Sequence, residues 1–542
     1  MSEASAAADN PPVGGTSAWA PFRHRLFAAM WWAQFVSNTG GWMQTVAAQW
    51  LMLTLTSSAA YVALVQTAAS LPVLLFAVLA GTVGDLVDRR KFLLVTQTLM
   101  LAAAAALGGL AIAGLVTPWT LLALLFAVGI GQALTSPTWQ TLQPELVEPA
   151  ERTQAISLGA VNQNLARAVG PAIGGVLLAA TSAGDVFLVN AATFAAVIFV
   201  IAAWRSSSRP PSALPREHVG EAIRAGGRYV AASPALRAIM IRAALFIFFA
   251  AAIWALLPLT AESALHLGSG GYGLLLGTVG IGAVAGAALL PRLRARVSPT
   301  GLLASGSVGL AAVALLMALV HVTVVIAIAL AGGGICWILA LSTLNSLYQL
   351  SLPGWIKARG MSFYLIVFQG GNAIGSAVMG VTAQHWGLSP VLLAAAAGLA
   401  LGPLAALRWP FRPIRPDELL PAGDWPQPQL TDGTPADGPV MVTVRYEAQP
   451  GREDELITRL RQARYSRRRT GATSWRAWRD ASQPGVILEQ FVVASWAEHE
   501  RQHERVSRRD QDRLDQVGLL TAEGTQPTVT HWITARPSSQ AD

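Results

Sequence analysis

Arg167 stands near the midpoint of an apolar run over residues 154–180, with Gln163 and Asn164 one turn before it. A lone guanidinium at that depth of a bilayer costs at least ~2.5–3.5 kcal/mol unless it meets water, a partner or an anion. Its chemistry is therefore electrostatic. It can contact an anionic solute or act as a gating charge, and a bond between helices such as one to Gln163 is the plainer alternative.

Four more apolar runs carry polar residues at helical spacing. Gln34, Asn38, Gly41 and Thr45 share one face of residues 26–54, and Gln132, Ser136, Trp139 and Gln143 share one of 119–143. Ser342, Asn345 and Gln349 do so within 322–349, and Gln369, Asn372 and Ser376 within 360–384. Taken singly, such residues make interhelical hydrogen bonds worth ~0.6 kcal/mol on average. Five faces, with that of Arg167, imply a polar-lined cavity for a small molecule.

Other chemistries find little in the chain. Glu145, Asp185 and Glu262 lie near the ends of apolar runs, none near a centre. Proton coupling usually employs a titratable group inside the membrane, so the residues support it weakly. The single Cys336 excludes an internal disulfide and a cysteine-based metal site. No G-x-x-x-x-G-K-[ST] phosphate loop is present, which argues against an ATP-driven pump. His499 and His503 form an i, i+4 pair able to hold a metal or haem, but their Glu- and Arg-rich surroundings favour a solvated helix face. Neither a nucleophile triad nor a carboxylate pair stands out. No catalytic residue, cofactor or metal is expected.

The elements that must position these residues follow from composition. Of 542 residues, 53% are hydrophobic and 13% charged, against about a quarter charged in soluble proteins. Segments of about 20 apolar residues cross a bilayer as helices. Twelve are read, near 26–54, 60–83, 92–116, 119–143, 154–180, 185–204, 237–263, 271–290, 300–320, 322–349, 360–384 and 388–408. Lys and Arg fall in alternate loops: Arg23/Arg25, Arg89–Lys91, Arg152, residues 205–237, Arg292–Arg296 and Lys357/Arg359. The intervening loops have none, so both termini are expected in the cytoplasm of a multi-pass inner-membrane protein. The net charge of +8 follows this topology, and nucleic acid is not an expected partner.

The segmentation gives a tail over 1–25 read as disordered, six spans over 26–204, and a linker with an amphipathic helix over 205–236. Six more spans occupy 237–408, a Pro-rich linker 409–438 and a soluble domain 439–537. TLQPELVEPAERTQAIS and SLYQLSLPGWIKARGMS occupy matching places about 205 residues apart. Paired halves of this kind are a secondary-transporter signature.

The loop GTVGDLVDRRK joins spans two and three, with Gly81, Asp85, Arg89 and Arg90 spaced Gly-x3-Asp-x3-basic-basic. Arg89, Arg90 and Lys91 hold it inside or pair with acids on neighbouring helices. This spacing resembles the loop signature of the major facilitator superfamily, with Asp88 where a second glycine is usual. That ending is similar to the exporter subfamily that includes the enterobactin exporter. VGPAIGG, with Gly170, Pro171, Gly174 and Gly175, resembles the superfamily's antiporter motif and is expected to pack helices. The resemblance implies export of a small amphipathic, siderophore-like or antibiotic-like molecule by proton antiport. It also implies a place for Asp85 in a cytoplasmic gate.

In the tail, alternating strands and two charged helices give a βαββαβ order, hence a ferredoxin-like domain. It is similar to the antibiotic-biosynthesis-monooxygenase type, whose members are small dimers, so self-association is expected. The fold class is thus all-α polytopic, twelve transmembrane helices in two pseudo-repeats, with a C-terminal α+β ferredoxin-like domain. The rival reading is a membrane-tethered monooxygenase-like enzyme or ligand sensor acting through that tail.

Overall fold

In a computed structural model of the chain, the described residues are 17, 19–86, 88–204, 219–411, 419–420, 422, 430, 434 and 437–534. Side chains at 77–86, 137, 141, 153, 219–223, 225, 354 and 358 are outside that description. The expected disordered tail before Ser17 and the linker at 205–218 also lie outside it.

Six long helices come first: α1 (Arg25–Leu55), α2 (Ala59–Leu86), α3 (Arg89–Ile112), α4 (Pro118–Leu142), α5 (Arg152–Ala180) and α6 (Ala183–Ala203). The shorter α7 (Val219–Ala232) is amphipathic and precedes a second series. That series is α8 (Pro234–Leu259), α9 (Ser269–Arg294), α10 (Pro299–Leu319), α11 (Thr323–Leu350), α12 (Lys357–Trp386) and α13 (Leu388–Leu401), closed by the turn α14 (Ala405–Arg408). Among the described residues, ten segments are long and apolar enough to cross a membrane. The 31-residue α1 and the 29-residue α5 are long enough, but their Gln, Asn and Arg residues make them less apolar.

Helix starts are chemically marked. Thr117 and Thr120 form a capping box ahead of α4, with Pro118 in the first turn. Ser182 and Asp185 do the same for α6, and Ser298 caps α10. Each hydroxyl satisfies an amide that the first turn leaves open. Asp185 is thereby committed to a cap.

The tail comprises β1 (Val440–Glu447), α15 (Glu453–Thr470), β2 (Ser474–Arg479), β3 (Val486–Val493), α16 (Trp496–Glu504), α17 (Arg508–Gly518) and β4 (Thr528–Ile533). Its sheet is antiparallel in the order β2-β3-β1-β4. Val440, Val442, Val444 and Tyr446 alternate inward from β1 onto Leu456, Leu460, Phe491 and Trp496. Trp478 and Trp532 are exposed on the outer strands. The second of the two charged helices expected in the tail is itself two, α16 and α17, because Ser507 and Asp510 form a capping box that restarts the backbone.

The chain divides into two compact units. One is Met1–Pro210, Phe246–Ala340 and Phe368–Gly402; the other is Pro211–Leu245, Leu341–Val367 and Pro403–Asp542. The second joins the tail to α7, the first half of α8, the end of α11 and the start of α12. The division therefore runs through helices, unlike the compositional boundaries at 408 and 439.

Candidate functional site

Gly81 and Asp85 fall in the last turns of α2, and their side chains are outside the described residues. The rest of the loop is described. Asp88 caps α3, its carboxylate accepting from the Lys91 amide at 3.0 Å. Arg89 Nη1 donates to both Glu145 oxygens, at 3.1 and 2.9 Å, just beyond α4. Arg90 donates from Nε to the Ile201 carbonyl at 3.2 Å and from Nη2 to that of Ala202 at 2.6 Å. It thus binds two carbonyls in the last turn of α6, of which that of Ile201 also accepts from the Trp204 amide. Charge concentrates in this loop because it ties the start of α3 to the ends of α4 and α6.

Part of the polar face of α1 is spent on α5, while Thr45 folds back to the Gly41 carbonyl at 3.0 Å. Gln34 donates to Asn38 at 2.9 Å, Asn38 to Asn162 at 2.8 Å, and Asn162 to the Trp31 carbonyl at 2.8 Å. Trp31 returns a bond to the Leu158 carbonyl at 2.9 Å. Asn162 is 1% exposed. It was not among the candidates, although it directly precedes Gln163. Its signal was helical spacing: residues 158, 162, 166 and 170 form the stripe that meets α1.

Gln163 and Asn164 occupy an exposed face of α5, where Asn164 folds back to the Ala160 carbonyl at 2.9 Å. Gln132 and Ser136 are exposed on α4, and Gln132 Nε2 comes within 3.7 Å of a Cβ built on Gly41. Arg167 is half-buried. Its guanidinium carbon is 5.4 Å from the Trp42 ring centre, and its Nε is buried with no hydrogen-bond partner. A buried donor without an acceptor carries a desolvation cost of about 1–3 kcal/mol, more when charged. It can recover that cost by binding an acceptor. Gln369 is half-buried on α12. Asn345, in the other unit, is exposed and accepts from Gln349 at 3.2 Å.

Asn372 is 8% exposed and donates to Ser70 Oγ of α2 at 2.7 Å. One turn away Thr67 donates to the Ala373 carbonyl at 3.0 Å. A second crossing involves the VGPAIGG segment, with Pro171 inside α5. A Cβ on Gly170 would stand 2.6 Å from Trp42 Cβ, and one on Gly174 2.7 Å from Met43 Cα. Gly175 instead meets Gly273 of α9, backbone to backbone. The motif therefore has two sides, one for α1 and one for α9, and only residues without side chains allow that approach. Beside it, Tyr272 donates to Gln49, and the Trp50 and Tyr272 rings stack at 6.1 Å and 22°. Neither Tyr272 nor Gln49 was a candidate, since nothing in their local spacing pairs them.

In the tail, His499 is 1% exposed, not solvated as expected. Its Nδ1 donates to Gln502 at 3.1 Å, its Nε2 is unpartnered, and burial pushes its pKa down to about 3. His503 and His531 lie at 4.7 and 4.8 Å between ring centres. Among the described residues no three His, Cys, Asp or Glu side chains are arranged to hold a metal.

The model of the Transmembrane secretion effector family matches residues 16–539. The staphyloferrin A transporter of Staphylococcus aureus is 30% identical over 160 residues, 29% of this chain and 40% of that protein. The multidrug efflux pump Tap of Mycolicibacterium fortuitum is 28% identical over 40% of this chain and 53% of its own length. The enterobactin exporter EntS of Escherichia coli O1:K1 is 26% identical over 70% of this chain and 89% of its own. Among solved structures, a bacterial homolog of the human lysosomal transporter Spinster aligns with a TM-score of 0.59 at 14% identity, over 72% of this chain and 98% of that one. This likeness concerns the fold.

Proposed function

Because the chain belongs to the Transmembrane secretion effector family, and so is a transporter and not an enzyme, we propose that it exports a small amphipathic molecule, anionic or bearing an anionic group, by alternating access. The observation that carries this reading is Arg167, with a buried unpartnered Nε beside exposed Gln163 and Asn164 on a membrane-length helix. Exposed polar side chains at that depth are costly against lipid, and a water-filled path removes the cost. Siderophore and drug exporters among the relatives agree with a substrate of that kind.

In this proposal α1 and α5 complete twelve spans, both termini are cytoplasmic, and the membrane is the inner one. The α2/α12 and α5/α9 crossings then lie toward the outer side and form the closed outer gate. Asp85, Arg89 and Arg90 work at the inner gate. Proton antiport is part of the proposal through family resemblance alone. The tail, whose strand order matches a ferredoxin-like domain, is read as an accessory module that self-associates over the face carrying Trp478 and Trp532.

The test is flux in inverted membrane vesicles, with and without a proton gradient, for Arg167→Ala and Arg167→Lys. Arg167→Ala should reduce export of anionic compounds more than that of neutral analogues, and Arg167→Lys should restore part of the difference. Equal loss for both classes would assign Arg167 to structure.

A further inference from the structure

Glu498 lies in the first turn of α16, 8% exposed, within reach of three guanidiniums. Arg505 approaches it at 2.7 Å, Arg228 at 3.4 Å and Arg501 at 3.6 Å. Two of these arginines belong to the tail. The third, Arg228, belongs to α7, which precedes the second series of membrane-length helices.

Arg505 makes the contact wider. Its Nη1 also donates to the Thr470 carbonyl at the end of α15, at 3.2 Å. Its guanidinium carbon lies 4.6 Å from the centre of the Trp355 ring, in the short turn Gly354–Ile356 between α11 and α12. Tyr229 of α7 meets the same indole edge-on at 5.7 Å. A Cβ on Gly226 of α7 would stand 3.2 Å from Phe363 of α12. A second attachment lies at the linker. Phe411 covers the guanidinium of Arg242 on α8 with 3.7 Å to its ring centre, and all three nitrogens of that arginine are buried without a hydrogen-bond partner. The cation-π contact is the compensation Arg242 has here.

We propose that the tail is a clasp on the ends of α8, α11 and α12 that lie in the second unit, with Glu498 as its central tie. A domain merely tethered by a linker has no reason to seat a nearly buried arginine, Arg505, on an indole of the α11–α12 turn. Nor has it reason to share a carboxylate with α7. Glu498 is a positioning residue: by neutralising Arg228 and Arg505 together it lets both stay in a solvent-poor contact, and removing one partner of such a group is strongly destabilising. Held this way, the three helix ends move as one body when the transporter changes state. The movement rests on the transport reading; the docking does not.

Hydrogen–deuterium exchange on the full chain in lipid nanodiscs, with flux in vesicles of the same preparation, separates the two. Glu498→Arg places a fourth guanidinium in the cluster, and the exposed Glu523→Arg is the charge-matched control. With Glu498→Arg, exchange over 219–232 and 352–357 should rise at least about tenfold, and flux should fall several-fold; Glu523→Arg should change neither. Trp355→Ala leaves the tail sequence intact and should give the same pair of changes. Unaltered exchange in both segments for both variants refutes the clasp, and faster exchange with unaltered flux refutes the joint movement of the three helix ends. Absence of flux in the unmodified protein instead overturns the transport reading, while the exchange result still decides docking.

Discussion

Adding one methyl group at Gly273 should bias the transporter away from the outer-closed state proposed above. A Cβ there would stand 3.0 Å from the Gly175 amide nitrogen and 3.1 Å from the Pro171 carbonyl, and nearer still to Gly175 Cα. Ordinary contact begins at 3.4 Å, so α9 must draw back from α5 by about an ångström; overpacking of this kind costs ~1–3 kcal/mol. The cost falls on the closed crossing. Where the helices have parted, the methyl meets nothing, and its gain in helix propensity applies to both states. The expected shift in population is then about 5–150-fold. Rates of labelling by a membrane-impermeant maleimide read it directly. The reporter is Ala179→Cys, beside Gly270 in the same crossing, in a background with the sole cysteine removed by Cys336→Ser. Gly273→Ala should speed that labelling and slow flux. Gly175→Ala should act similarly, and the double variant should fall short of the sum, because the first methyl has already opened the gap. Unchanged labelling in a normally inserted Gly273→Ala protein would refute the reasoning.

Asp85→Asn should lower flux at equal expression while insertion stays intact, since the proposed inner gate loses charge but keeps shape; flux equal to that of the unmodified protein would leave the loop a topology signal. Glu145→Gln, which weakens the partner of Arg89 at a half-buried surface, should cost only about 0–1 kcal/mol of stability, so a fall in flux well beyond that in folded protein would mark the pair as mechanical. His499 carries a pH prediction. An unfolded chain takes up its proton near pH 6.5, whereas the folded tail resists it down to about 3. The sign follows: stability is full above pH 6.5 and declines as pH falls toward 3, by about 2 kcal/mol at pH 5. Scanning fluorimetry of the full chain should show this decline and its flattening in His499→Phe; equal pH dependence in the two proteins would exclude His499 as its source.

Apolar length placed the helices well, but the caps that start three of them at Thr117, Ser182 and Ser298 were not read from the sequence. What sequence spacing could not supply was the neighbour. The face of α1 with Gln34 and Asn38 was legible as a face, but its bonds run to Asn162, which periodicity around Arg167 did not single out. Gln49 and Tyr272 are 223 residues apart, and Asn372 and Ser70 are 302 apart. Such pairs exist only once helix axes cross. Arg242 illustrates the same limit. A charge near a helix end can snorkel to water, yet Phe411 covers this one and it is 2% exposed. The capping box at Ser507 and Asp510 was written in the sequence as Ser-x-x-Asp, and a continuous charged pattern on both sides obscured it.

Pro171 has one more effect. A proline brings no N–H to the carbonyl four residues before it, and in α5 that carbonyl belongs to Arg167. The helix is one rung short at the level where its guanidinium also lacks a partner for Nε. Beyond that rung lie Gly174 and Gly175, the two contacts with α1 and α9. On the proposed transport cycle, the Gly174–Gly175 end of α5 would be a short lever whose pivot coincides with the charge. An arriving anion would press on the fulcrum, and the far arm is the part that grips the neighbouring helices.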